Sequence, residues 1–373
     1  MKLRSVREAD VVGNTVVLRT SLNVPVGEDG APLDPFRLKK ALPTIEYLSE
    51  RNAKTIILGH LGRDGVSLQG VAHSLQGLTS VPIRFFTGAL SEAATEASKM
   101  APGECMILEN IRREAGEEEN SPVLSQQLAA LGKLYVNDAF ADSHRTHASI
   151  VGIAGLLPSY AGLLMEEEVS HLSKALQPPP SARAYVGGAK FKTKEPLIMK
   201  LLDLYERVHV VGAIADDFLV ARGHGVGRSL VSEIPIPRAL ASDSRIVVEE
   251  DVTVVKDGVA RVCGIDDIAA DEIIMDAGPA TAKRWSEEIA ESPFVLWNGT
   301  LGVYEKGFIG PTEALGRAIV SAKVPAVIGG GDTLAALSGI SFEGSRAFLS
   351  TGGGAMLQFL ANGTLPGIEP LRA

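Results

Sequence analysis

Four stretches of this sequence share one design: an apolar run, then small residues, then the start of a helical pattern. They are Tyr185-Val186-Gly187-Gly188-Ala189-Lys190, Asp276-Ala277-Gly278-Pro279, Val327-Ile328-Gly329-Gly330-Gly331-Asp332-Thr333 and Ser350-Thr351-Gly352-Gly353-Gly354-Ala355. Lacking a β-carbon, glycine lets backbone N–H groups approach a ligand closely. The unpaired N–H groups that open the following helix, with its dipole, favour an anion. One such turn is as often a simple tight turn; four in one half of the chain point to phosphate. Lys190 and Lys194 follow the first turn at a spacing of four, which predicts one helical face and two cations able to neutralise a transferring phosphoryl group. Asp332, inside its glycine nest, could hold a magnesium ion bridging phosphates or cap the helix that follows.

The first half carries a different set. Arg37, His60, Arg63, Arg112, Arg145 and His147 each fall just after an apolar run or at a helix start. In a parallel sheet those ends share one edge, so the arginines would converge into a basic cup. Forked guanidinium groups suit phosphate and carboxylate together.

The elements that must position these groups alternate. Apolar strand candidates are Thr15–Thr20, residues 54–59, 82–87, Cys105–Leu108, 133–137, Arg183–Gly187, 208–212, 272–276, 294–297, Ala326–Gly329 and 346–350, with helical patterns between them. Continuous apolar strands separated by helices predict an α/β fold with parallel sheets covered on both faces. A chain of 373 residues exceeds what one core usually holds, so two domains are expected. The helix over 163–177, acidic at its start and stopped by Pro178-Pro179-Pro180, reads as an interdomain connector.

Composition narrows the function. The net charge is −9 and no long basic run occurs, which argues against nucleic-acid binding. Cys105 and Cys263 read as buried free thiols of a reducing compartment. No apolar segment has the length of a signal peptide or a membrane span, so a cytoplasmic protein is expected. The pattern GxxxxGK[ST], the HRD…DFG set of protein kinases, and a GxGxxG opening the first strand–helix unit are all absent.

Further stretches join these in order: Leu22-Asn23-Val24-Pro25, Gly59-His60-Leu61-Gly62-Arg63, Leu108-Glu109-Asn110-Ile111-Arg112, Val136-Asn137-Asp138-Ala139-Phe140, Ser143-His144-Arg145-Thr146-His147 and Trp297-Asn298-Gly299. Together with the glycine turns they resemble the phosphoglycerate kinases nearly end to end. The resemblance implies two doubly wound, Rossmann-like domains facing across a hinged cleft. Residues 1–162 would bind 3-phosphoglycerate or 1,3-bisphosphoglycerate, 178–356 would bind magnesium with ADP or ATP, and 357–373 would return to the first domain. By motif, Ser21, Asn23, Arg37, His60, Arg63, Arg112 and Arg145 fall at substrate positions, with Arg37 as the catalytic arginine beside Lys190 and Lys194. Gly187, Gly188, Lys190, Lys194, Gly212, Asn298, Glu305 (at the ribose), Gly330, Gly331, Asp332, Thr333, Gly352 and Gly353 fall at nucleotide positions, with Asp332 on the metal. The resemblance further implies a monomer with small-molecule partners only, and no nucleic acid or membrane among them.

The sequence also departs from that pattern. Ser21 stands where the family has Asp, which accepts a hydrogen bond from the substrate's hydroxyl; restoring Asp is expected to strengthen glycerate binding. Lys192-Thr193-Lys194 replaces a Ser/Ala-Asp-Lys loop. Val211-Gly212-Ala213-Ile214 replaces a triple-glycine turn where the base should pack, and Thr300 replaces a proline. These changes leave two alternatives to a phosphoglycerate kinase: a paralogous kinase for a different phosphorylated or phosphonated carboxylate, and a non-catalytic descendant that binds a metabolite.

Overall fold

The computed structural model describes every residue except Asp29, Arg63 and Asp64. The chain forms two compact units, Met1–Ser170 with Asn362–Ala373, and His171–Ala361. The expected connector is a helix over Leu163–Ala175, and the division between units falls within it.

The first unit is built on β1 (Thr15–Thr20), β2 (Lys54–Leu58), β3 (Ile83–Phe86), β4 (Cys105–Leu108), β5 (Leu134–Asp138) and β6 (Ser159–Ala161). They form one parallel sheet in the order β3-β4-β2-β1-β5-β6. Alternation along each strand separates two cores. Val16, Leu18 and Ile57 pack with Leu38, Ile45 and Leu48 of the helix Phe36–Glu50 on one face. Val17, Ile56 and Leu58 pack with Ala93, Leu128 and Tyr135 on the other. Burial on both faces is why these strands read as unbroken apolar runs. Strand order reverses between β1 and β5, so the carboxyl ends of those two strands flank the crevice where parallel sheets bind ligands.

Residues 362–373 complete this unit. Leu3 bridges to Arg372, the Arg4 amide donates to the Leu371 carbonyl at 2.8 Å, and Gly367 exchanges backbone and side-chain bonds with Ser143 and Asn137. Leu365, Ile368 and Leu371 are buried there.

The second unit holds β7 (Arg183–Gly187), β8 (Arg207–Val211), β9 (Ile246–Val247), β10 (Asp251–Lys256), β11 (Val259–Gly264), β12 (Ile273–Ala277), β13 (Val295–Asn298), β14 (Ala326–Gly329) and β15 (Ala347–Leu349). Six form a parallel sheet in the order β15-β14-β13-β7-β8-β9, reversing between β7 and β13. The remaining three form an antiparallel sheet, β11-β10-β12. The strand expected at 272–276 therefore belongs to a separate antiparallel sheet, not to the parallel alternation. The other two strands of that sheet, β10 and β11, make a hairpin through Asp257 and Gly258, both at positive φ, a turn suited to Asp-Gly. Among the described residues no helix is long and apolar enough to cross a membrane.

Candidate active site

The cup of the first unit is organised by a residue that the sequence motifs passed over. Arg19 lies inside β1 and is 1% exposed. Its Nε donates to Ser149 Oγ at 3.1 Å, Nη1 to the Thr20 carbonyl at 2.6 Å, and Nη2 to His60 Nδ1 at 3.1 Å. Nη2 also lies 3.3 Å from Asp142 Oδ2. A guanidinium can only donate, so His60 Nδ1 must be the acceptor and the ring proton must sit on Nε2. Burial agrees, holding His60 neutral with its pKa lowered to about 3 despite the nearby Asp142. His60 thus enters the cup as an uncharged N–H donor with a fixed tautomer.

Around this centre the expected substrate residues gather. Ser21 follows β1 and is buried, its Oγ 3.5 Å from Asp142 Oδ2. Asn23 is locked twice: its Oδ1 accepts from the Gly62 amide at 3.0 Å and its carbonyl accepts from Arg37 Nη1 at 2.7 Å. Arg112 donates to the Gly62 carbonyl at 3.2 Å and its side chain is nearly buried. Arg145 is exposed, yet its charge reaches His60, Arg112 and Asp142. Burial and then Arg145 lower the Arg112 pKa, so the cations repel until an anion arrives. His147 lies behind them, 3.7 Å from Glu117. Arg63 is outside the described residues.

In the second unit the glycine turns sit at the carboxyl edge of the parallel sheet. At the strand-order reversal, β7 ends on Gly187 and β13 is followed directly by Gly299. A β-carbon on Gly299 would come within 2.4 Å of the Gly187 Cα, and one on Gly187 within 2.7 Å of Val211 Cγ2. Gly299 sits at φ +122°. Only two glycines let these backbones come so close. Thr333, buried, accepts from the Gly299 amide at 2.9 Å and ties β13 to the Gly330 turn. A β-carbon on Gly330 (φ +106°) would crowd Thr333 Oγ1 at 3.0 Å and Asn298 Nδ2 at 3.1 Å. Gly188 (φ +144°), Gly212 (φ +62°) and Gly353 (φ +48°) also need conformations that side chains disfavour, whereas Gly331 and Gly352 do not.

Three expectations need correction here. Lys190 and Lys194 do not share a helical face: Lys190 is the exposed N-cap of the helix Phe191–Leu202, in extended conformation, and only Lys194 is helical. Lys194 is half-buried, its Nζ 3.5 Å from Asn298 Oδ1, and burial lowers its pKa to about 8. Asp332 does not cap its helix, since Gly330 is the N-cap of Gly331–Ala336 and makes no side-chain bond. The turn at Gly278 is not a phosphate site. Asp251 reaches the start of the helix Pro279–Glu291 and accepts from the Ala280 and Thr281 amides at 3.0 and 2.7 Å, so a protein carboxylate already fills the anion position.

A pocket of about 370 Å³ adjoins the turns, lined by Gly188, Gly212, Asp216, Glu249, Asp276, Glu305 and Asp332 among others. Burial raises the carboxyls of Asp216 and Asp276 to about 8 and that of Glu249 well above its ordinary value. Near neutral pH the pocket therefore presents proton-bearing carboxyls, able to donate as well as accept. Asp332 is exposed, with Tyr304 Oη 3.4 Å from its Oδ1. Among the described residues no cluster of three His, Cys, Asp or Glu could hold a metal. A lone carboxylate beside a phosphate cradle suits magnesium, which takes one or two carboxylates and completes its shell from water and substrate phosphates.

A basic cup at one strand-order reversal and a glycine cradle with lysines at another define a two-domain α/β phosphotransferase. The comparisons narrow that class. The family profile described as phosphoglycerate kinase matches residues 6–363. Phosphoglycerate kinases of Rhodospirillum centenum and Azorhizobium caulinodans are 38% and 39% identical, with at least 99% of both chains covered. Phosphoglycerate kinase structures from Coxiella burnetii (34% identical, TM-score 0.82, 99% of both chains) and Pyrococcus horikoshii (27%, TM-score 0.86, 99% of this chain and 98% of that one) share the fold. The chain belongs to the phosphoglycerate kinase family.

Proposed function

We propose that this chain transfers a phosphoryl group between 1,3-bisphosphoglycerate and ADP, and in reverse from ATP to 3-phosphoglycerate, as a glycolytic kinase. The observation that carries the reading is chemical complementarity: a cup of arginines and neutral histidine for a doubly anionic acid in one unit, and a backbone N–H cradle with Lys194 for a nucleotide's phosphates in the other.

Phosphoryl transfer asks for positioning and charge neutralisation rather than a protein nucleophile. Arg112, Arg145 and Arg63 would hold the glycerate's anions, with Asn23 and the His60 Nε2–H fixing its orientation. Arg37, anchored on the Asn23 carbonyl, would reach the transferring group from the acid's side. Lys194 and Lys190 would meet it from the nucleotide's side, with the amides of the Gly187, Gly330 and Gly352 turns on the remaining phosphates. Glu305 would take the ribose. Magnesium, held through Asp332, would supply charge neutralisation on the nucleotide phosphates. Transfer requires both half sites to engage the same phosphoryl group with water shut out, since an acyl phosphate is readily hydrolysed. A monomer acting in the cytoplasm meets these needs without a partner.

A coupled assay with 3-phosphoglycerate, ATP and magnesium tests this. Turnover at ordinary kinase rates is expected, with kcat of roughly 1–100 per second. Intact nucleotide binding without turnover would favour a paralogous kinase for a different phosphorylated or phosphonated carboxylate, a reading for which Ser21 is the best support.

A further inference from the structure

Ser21 and Asp142 come from opposite sides of the same crevice. One follows β1 and the other follows β5, the two strands between which the order of the first sheet reverses. Asp142 Oδ2 lies 3.5 Å from Ser21 Oγ, 3.3 Å from Arg19 Nη2 and 3.6 Å from His60 Nδ1. These three contacts are all made through Oδ2. The other carboxylates nearby are engaged elsewhere: Glu117 accepts from the Ser149 amide and hydroxyl, and exposed Glu118 pairs with Arg112.

We propose that Asp142 accepts the hydrogen bond of the substrate's hydroxyl and so makes this site selective for a hydroxy acid, taking the part that position 21 has given up. The inference rests on the glycerate reading above. A phosphorylated glycerate offers two anionic groups and a single donor, its hydroxyl. Arginines and the His60 N–H can serve the anions but none of them can accept a proton. A buried anion set among those cations is the complementary feature. Burial alone would raise the Asp142 carboxyl, but the charges around it, Arg19 foremost, hold it below its usual range and so favour its ionised form. Ser21 then has a distinct part. Its hydroxyl can donate to Oδ2, whereas a carboxylate there would stand against Asp142 at contact distance, and like charges so close cannot both ionise. The expectation that Ser21→Asp improves binding is therefore reversed.

The experiment compares binding of 3-phosphoglycerate with 3-phosphooxypropionate, which lacks only the hydroxyl, by calorimetry on the full chain. The wild type should prefer the hydroxy acid by about 10- to 100-fold, the worth of a hydrogen bond to a charged acceptor. Asp142→Ser should collapse that ratio towards one; both ligands are measured on the same variant, so the ratio is read separately from any stability or charge lost with the Arg19 ion pair, and circular dichroism of the unliganded variant checks that it is folded. Ser21→Asp alone should weaken 3-phosphoglycerate, and Ser21→Asp with Asp142→Ser should restore the preference by returning one carboxylate to the pair. Equal losses for both ligands in Asp142→Ser, or tighter binding in Ser21→Asp, would overturn the assignment while leaving the glycerate reading standing. A wild type that binds nucleotide but neither acid would overturn both.

Discussion

Replacing Arg19 by Met tests the organisation of the cup most directly. The side chain sits 1% exposed and makes hydrogen bonds to Ser149, Thr20 and His60 besides its ion pair with Asp142. Met keeps much of the volume and removes every donor. The dominant cost is then the Asp142 carboxylate left buried without its main partner, about 3–5 kcal/mol by analogy with other broken buried pairs. For a unit of this size each kcal/mol moves Tm by about 2–4 °C, so a fall on the order of 6–20 °C in the first unit's transition is expected. Differential scanning calorimetry would read it, and His60 ring-nitrogen NMR shifts would show loss of the single Nε2–H tautomer. Because the cost is an uncompensated charge, adding Asp142→Asn to Arg19→Met should recover part of the stability, giving a non-additive cycle. A shift under about 2 °C, or a double variant worse than Arg19→Met alone, would refute the account of Arg19 as the hub.

Three further outcomes follow from the geometry. Since the Lys194 ammonium is lowered to about 8, it is charged below that pH and loses its proton above it, so KM for the nucleotide should rise through pH 8–9; Lys194→Arg should flatten that rise, and an unchanged profile would remove Lys194 from the phosphates. Gly299→Ala meets the Gly187 Cα at 2.4 Å and a φ of +122°, so it should destabilise the second unit by about 2 kcal/mol or more and abolish nucleotide binding, readable by a nucleotide titration of the thermal transition. Arg37→Ala should lower kcat by at least about 100-fold with little change in the Kd of 3-phosphoglycerate, and equal losses in both would contradict a role confined to the transition state.

Much of the architecture was legible because both large sheets are buried on both faces, which turns their strands into unbroken apolar runs with glycine at the exits. What escaped did so for identifiable reasons. Arg19 carries no motif, although an arginine inside Val16-Val17-Leu18 is itself a signal: a charge within a buried strand must be paired. The hairpin of β10 and β11 has an alternating pattern and an Asp-Gly turn, but Val259 and Val262 are exposed and blur the period. The Gly278 turn looked like its neighbours, and only the fold brings Asp251 across from another strand to occupy it. The spacing of Lys190 and Lys194 predicts one helical face but says nothing about where the helix begins, which is after Lys190. The relation of Ser21 to Asp142 spans 121 positions and exists only once β1 and β5 lie side by side.

The return of residues 362–373 to the first unit has a consequence for biosynthesis. The second unit is a continuous segment and can finish folding as soon as its residues leave the ribosome. The first unit, although made earlier, lacks Leu365, Ile368 and Leu371 and the backbone pairing at Leu3 until the final dozen residues emerge. At typical elongation rates of about 5–20 residues per second, that leaves its β5–β6 edge waiting on the order of ten to forty seconds. The unit begun first is thus sealed only after the second has been made, and ribosome pausing over the second unit would lengthen that interval.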